Sequence, residues 1–152
     1  MTHLHDDLDP DLDRIERSIE IDAGPEKVWD LIARPGWWIN EGEVDLVAEV
    51  RRDGDLDVVT HPKWGEFRLE TVESDRPHRL VYRWHDNASD GSTIVSFGIE
   101  EREGGVTLSV VESGFLSLSK SRAEVLNQVR ENTDGWEKEL AAARRFVTGA
   151  SA

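Results

Sequence analysis

Toward its end the chain carries one apolar stripe, in which Leu126, Val129, Thr133, Trp136, Leu140, Ala143 and Val147 recur at alternating steps of three and four residues. That spacing predicts a long amphipathic helix. Such a helix has to lay its apolar side against a second layer, and the preceding sequence supplies one. From Arg14 the pattern has period two, with Ile15, Ile19 and Ile21 on one face and Glu16, Ser18, Glu20 and Asp22 on the other. Six more strand candidates follow at 44–51, 55–61, 66–73, 79–85, 92–102 and 106–113. They are separated by turn chemistry, including Asp53-Gly54, residues 62–65 and Gly104-Gly105. Loops of hairpin length join most of these runs, so an antiparallel meander is predicted. Between the first strand and the meander, Pro25 and Glu26 suit the first turn of a helix carrying Val28, Trp29, Leu31 and Ile32. Arg34-Pro35-Gly36 ends it, and Trp37-Trp38-Ile39 opens a further short apolar segment.

The predicted architecture is α+β: a seven-stranded curved antiparallel sheet wrapping a long C-terminal helix, with two short helices after the first strand. Gly135 falls inside the long helix, where it marks either close packing or a bend, or a tolerated defect. Residues 1–13 hold Asp6, Asp7, Asp9, Asp11 and Asp13 without a basic residue and are expected to form a disordered acidic tail, ahead of one domain at 14–148. Alternating aspartates hint at a calcium loop, but Leu12 and Ser18 stand where that loop needs glycine and glutamate. No metal site is expected.

Composition excludes further classes. Without cysteine there is no disulfide framework, thiolate nucleophile or zinc–cysteine site. A net charge of -14 opposes binding to phosphate backbones and anionic headgroups, so neither a nucleic-acid nor a membrane partner is expected. No apolar run approaches the roughly 20 residues that span a bilayer, and the start lacks the order of a signal peptide. A cytoplasmic location is the expectation.

Several local patterns occur in a familiar order. Pro25-Glu26-Lys27-Val28-Trp29 is followed by Pro77, Leu80-Val81-Tyr82 and Trp84, and then by Glu101, Gly104-Gly105 and Thr107-Leu108. Ser113-Gly114-Phe115, and Gly135-Trp136 with Leu140, complete the series. In this order they resemble the family of activator of heat-shock protein 90 ATPase homologues, within the START/Bet v 1 (SRPBCC) helix-grip superfamily. The resemblance implies a cavity between sheet and terminal helix. It leaves activity open, because the superfamily includes lipid carriers, hormone receptors, polyketide cyclases and co-chaperone domains.

Strong catalytic signatures are absent: there is no phosphate-binding glycine loop, no HExxH pair and no G-x-S-x-G elbow. His61, His78 and His85 have no ligand spacing, and alternation on its strand predicts that His85 faces solvent. Trp37, Trp38, Trp64, Tyr82, Trp84, Phe97 and Trp136 are the candidate lining of a pocket with aromatic walls and a few polar handles. Arg17 and Glu112 interrupt two apolar rows, and a register placing Ile19 opposite Val110 would pair them across neighbouring strands. They complete the candidate ligand-binding set. The expected function is binding of a small, largely apolar or amphipathic molecule without catalysis or cofactor. The alternatives are a cyclase- or hydrolase-like enzyme using a cavity carboxylate, and a co-chaperone-like module that binds a protein partner.

Overall fold

A computed structural model describes residues 13–40, 42–85, 91–118 and 121–149. Its seven strands are β1 (Arg14–Ile21), β2 (Glu49–Asp53), β3 (Leu56–His61), β4 (Gly65–Asp75), β5 (Arg79–His85), β6 (Ser92–Arg102) and β7 (Gly105–Ser113). Helix α1 (Pro25–Ile32) follows β1, and α2 (Arg122–Thr148) follows a short 3-10 turn at Phe115–Ser117. All neighbouring strands are antiparallel, in the order β1-β7-β6-β5-β4-β3-β2. The long helix packs along β1, on the face where the strands bury Ile15, Leu69, Leu80, Tyr82, Val95, Phe97, Ile99, Val106, Leu108 and Val110. The α+β helix-grip arrangement is therefore present, and period-two alternation is clearest on β6 and β7. The tail expected at 1–13 lies outside the described residues except for Asp13, whose carbonyl and carboxylate accept hydrogen bonds from Gly114 N (3.3 Å) and Leu116 N (2.8 Å).

Local chemistry sets the ends of α2. Ser121 Oγ accepts from Glu124 N (3.2 Å) while Glu124 Oε1 accepts from Ser121 N (2.9 Å), a reciprocal capping box, and Gly149 closes the far end at φ 72°. Gly135 is neither a packing contact nor a left-handed turn, since a Cβ there would meet nothing within 4 Å. It is a tolerated defect.

Three sequence expectations are corrected. Among the described residues one short helix follows β1; residues 33–40 form consecutive turns, with Trp37 N bonded to Arg34 O (3.1 Å) and Ile39 N to Gly36 O (2.9 Å). Pro35 has no amide hydrogen to continue a helix, and Gly36 takes φ 76° with Val59 Cγ1 2.9 Å from where a Cβ would sit. The strand expected at 44–51 begins only at Glu49. Val44, Leu46 and Ala48 do pack inward, which explains the period-two signal, but Asp45 Oδ1 accepts from Val47 N (3.2 Å) and Leu46 takes φ 50°, so the backbone turns locally instead of joining the ladder. The third correction is register: Ile19 stands opposite Leu108, which puts Arg17 opposite Val110 and Ile15 opposite Glu112. A shift of two residues leaves every side chain on its own face, so alternation cannot distinguish the two pairings.

Two substitutions test this packing. Gly135→Ala should raise stability by about 1 kcal/mol, because alanine is the better helix former and the site is open. Phe97→Ala, at a side chain with no exposed surface, should cost about 3–5 kcal/mol. Urea denaturation of both variants gives these values directly.

Candidate functional site

The interior between sheet and α2 is aromatic at its centre. Trp38, on the turn after α1, has its ring centroid 5.5 Å from Tyr82, 5.5 Å from Trp84, 5.6 Å from Phe97 and 5.6 Å from Trp136. Trp37 meets it edge-on at 6.0 Å and also packs on Phe97. Tyr82 is pinned by its hydroxyl, which donates to Ile32 O (2.8 Å) and ties the end of α1 to β5. Burial raises the Tyr82 pKa, with the negative charge of Asp57 adding to the rise, so the hydroxyl stays a donor. Trp84 is only half-buried and touches Phe67, which places this pair at the margin of the cluster.

Beside the rings lies a buried carboxyl group. Glu112, 1% exposed on β7, receives Thr93 Oγ1 at Oε2 (2.6 Å) and both Asn132 Nδ2 (3.1 Å) and Trp136 Nε1 (2.8 Å) at Oε1. Burial raises its pKa and the three hydrogen bonds oppose the rise. These contacts join β6, β7 and α2. They also engage both oxygens of Glu112, three of the roughly four positions at which a carboxylate can accept.

A second buried acid sits further along α2. Glu139, 9% exposed, accepts from Asn40 Nδ2 (2.7 Å), while Arg145 donates to Gly42 O (3.0 Å). On the other side of the same irregular segment, Asp45 Oδ2 lies 3.5 Å from His61 Nε2. His61 Nδ1 accepts from the amides of Lys63 (3.0 Å) and Trp64 (3.3 Å), so Nε2 carries the proton that faces Asp45. The segment is thus strapped to α2 at one side and to β3 at the other. Burial lifts the Glu139 carboxyl from an ordinary 4.5 to about 7; the Asn40 hydrogen bond lowers it, Asp45 raises it and Arg145 lowers it.

The structure brings Trp37, Trp38, Tyr82, Trp84, Phe97, Glu112 and Trp136 together and separates two expected members. Trp64 occupies the turn between β3 and β4, 49% exposed, with Lys63 Nζ 4.9 Å from its ring centroid. Turn geometry at Gly65 (φ 90°) carries it away from the interior. Arg17 follows from the corrected register: its guanidinium reaches outward to Glu137 Oε2 (2.9 Å) and Glu16 O (2.8 Å), and it does not pair with Glu112. His85 lies on the face of β5 opposite Trp84, as alternation predicts, but is half-buried there, and its Nε2 has no hydrogen-bond partner. Thr93, Asn132, Asn40 and Glu139 escaped the sequence reading. Glu139 had a signal, since it follows Trp136 by three residues and so shares the face of the stripe. Among the described residues no group of His, Asp and Glu is arranged to hold a metal ion.

The profile of the family described as "Activator of Hsp90 ATPase homolog 1-like protein" matches residues 22–143. The chain belongs to this family. The match contains α1, the turn with Trp37 and Trp38, β2 to β7 and α2 as far as Ala143. Among solved structures it is similar to protein MLL2253 from Mesorhizobium loti, at 17% identity and TM-score 0.68, covering 91% of this chain and 99% of that one. It is similar to the Aha1 dimer from Colwellia psychrerythraea at 14% identity and TM-score 0.64, covering 88% and 95%. A third likeness is to the Polyketide_cyc-like protein Cgl2372 from Corynebacterium glutamicum, at 18% identity and TM-score 0.61, covering 89% and 91%. At these identities the likeness establishes the fold alone. No curated protein matches the sequence.

Two measurements check the electrostatics. The raised Glu139 pKa means that the stabilisation from its neutral form is complete below pH 4.5 and is lost as pH rises through about 7. That displacement corresponds to about 3 kcal/mol. Stability should therefore fall between pH 5 and 8, and Glu139→Gln should remove most of the fall in denaturation curves taken across that range. Glu112 shifts in the same direction and leaves the variant some residual slope. In a double-mutant cycle, Arg17→Met and Glu112→Gln should add to within about 0.5 kcal/mol, because the two share no partner.

Proposed function

We propose that this protein binds a small, largely apolar molecule between its sheet and α2, without transforming it. The observation that carries this reading is the position of Trp38. Rings from β5, β6 and α2 converge on it, yet it stands on a turn and not on a strand or helix. A shift of that turn exchanges indole contacts for ligand contacts and leaves the sheet ladder intact. The margin formed by Trp84 and Phe67 offers the way in. Polar groups beside the rings, Thr93 and Asn132, match the mixed lining that orients small molecules in such sites. Likeness to a protein described as Polyketide_cyc-like is in keeping with a small-molecule ligand.

The three hydrogen bonds that already hold Glu112 in place favour binding over acid–base catalysis at this residue. In the proposed site Trp37, Trp38, Tyr82, Trp84, Phe97 and Trp136 are the walls and Glu112 is a structural anchor.

The test is titration with the neutral fluorescent probe N-phenylnaphthylamine. Saturable binding at about one probe per chain is expected, weakened about tenfold or more by Trp84→Ala, whose loss of ring contact removes part of the apolar wall. Circular dichroism should show that variant folded. Absence of saturable binding overturns the reading in favour of a protein-binding module, and binding unchanged by Trp84→Ala places the probe elsewhere.

A further inference from the structure

We infer that the ligand carries a neutral hydrogen-bond acceptor, such as a carbonyl oxygen on an apolar ring system, and that the indole N–H groups of Trp37 and Trp38 are its donors. This rests on the ligand-site reading given above.

Trp37 and Trp38 are 3% and 6% exposed, yet Nε1 of each has no hydrogen-bond partner. Buried donors are nearly always paired, because an unpaired one has given up water without a replacement. Other polar groups of the same cluster obey that rule. Trp136 Nε1 donates to Glu112 and the Tyr82 hydroxyl donates to Ile32 O. The third unpartnered buried atom among the described residues, His85 Nε2, belongs to the other face of β5 by alternation from Trp84. Both orphan donors therefore sit in the aromatic interior, one on its central ring.

The polarity of the spare groups defines the ligand. Glu112 already receives three donors, so its oxygens offer little to a ligand hydroxyl or amine. What the interior has to spare is N–H, and N–H calls for an acceptor. The acceptor is uncharged: an anion moved from water into this aromatic interior loses its hydration, and two indole N–H groups carry no charge to offset that loss. Both indoles stand on the turn at 33–40, whose backbone bonds are local, so this wall can adjust to a ligand oxygen without disturbing the sheet.

The experiment compares acetylnaphthalene with ethylnaphthalene, which share ring and shape and differ in one carbonyl oxygen. Calorimetry on the intact protein should find the acetyl compound bound about tenfold tighter, the effect of one hydrogen bond made in a dry site. Indole N–H resonances, assigned by single tryptophan-to-phenylalanine changes, give the second readout. In the free protein those of Trp37 and Trp38 should lie upfield of Trp136, and at least one should move downfield with acetylnaphthalene only. Trp37→Phe or Trp38→Phe should abolish the preference for the carbonyl while ethylnaphthalene still binds. If a variant does not fold, the resonance and affinity comparison in the unsubstituted protein decides. Equal affinity for the two compounds with unmoved indole resonances overturns the inference while leaving the apolar site intact. Failure of both to bind overturns the ligand-site reading, and the inference with it.

Discussion

The hydrogen bond from Trp136 to Glu112 holds the two layers of this protein in one relation. A helix lying on a sheet by apolar contact alone can slide or rotate at small cost, because methyl groups are poor at fixing position. A buried carboxyl group cannot tolerate that freedom. Glu112 is taken from water and must be met by Thr93 on β6 and by Asn132 and Trp136 on α2, or its burial becomes a large penalty. Four residues from three elements therefore set the height and rotation of α2. Trp136 is held in turn against Trp38 and Phe97.

The irregular segment between α1 and β2 is held differently. Its side chains Trp37, Trp38 and Ile39 are buried, while its backbone makes turns instead of ladder bonds. Contacts to Glu139, Arg145 and His61 hold it down at discrete points. The combination places large rings in the middle of the molecule on backbone that stands outside the sheet ladder, and this is the physical basis for the proposed binding site. The acid–base reading weakens for a related reason: the carboxyl that looked most available in the sequence is the one most fully engaged.

Much of this was legible in advance, because both major elements announce themselves by local periodicity. Alternation on β1, β6 and β7 and the stripe on α2 identify which side chains are buried, and the seven-stranded meander with its terminal helix follows from their order. The same signal misled at Val44, Leu46 and Ala48, which alternate like a strand while Asp45 bonds the backbone of Val47. It also failed at Trp64, where a turn of three residues between β3 and β4 decides the direction of a ring.

Residues near one another along the chain were enough for the seven strands, the long helix, their apolar faces and the family. Tertiary structure alone decided the partners. The pairing of β1 with β7 could slip by two residues without exposing an apolar side chain, and only the full set of contacts selects the register that sends Arg17 to Glu137 and opposes Glu112 to Ile15. Likewise Glu139 meets Asn40, and Asp45 meets His61, across separations along the chain that no local pattern encodes. Periodicity reports which face of an element is apolar, whereas a hydrogen bond between distant residues depends on how two elements are translated and rotated against each other, and that is fixed only when all the layers close together.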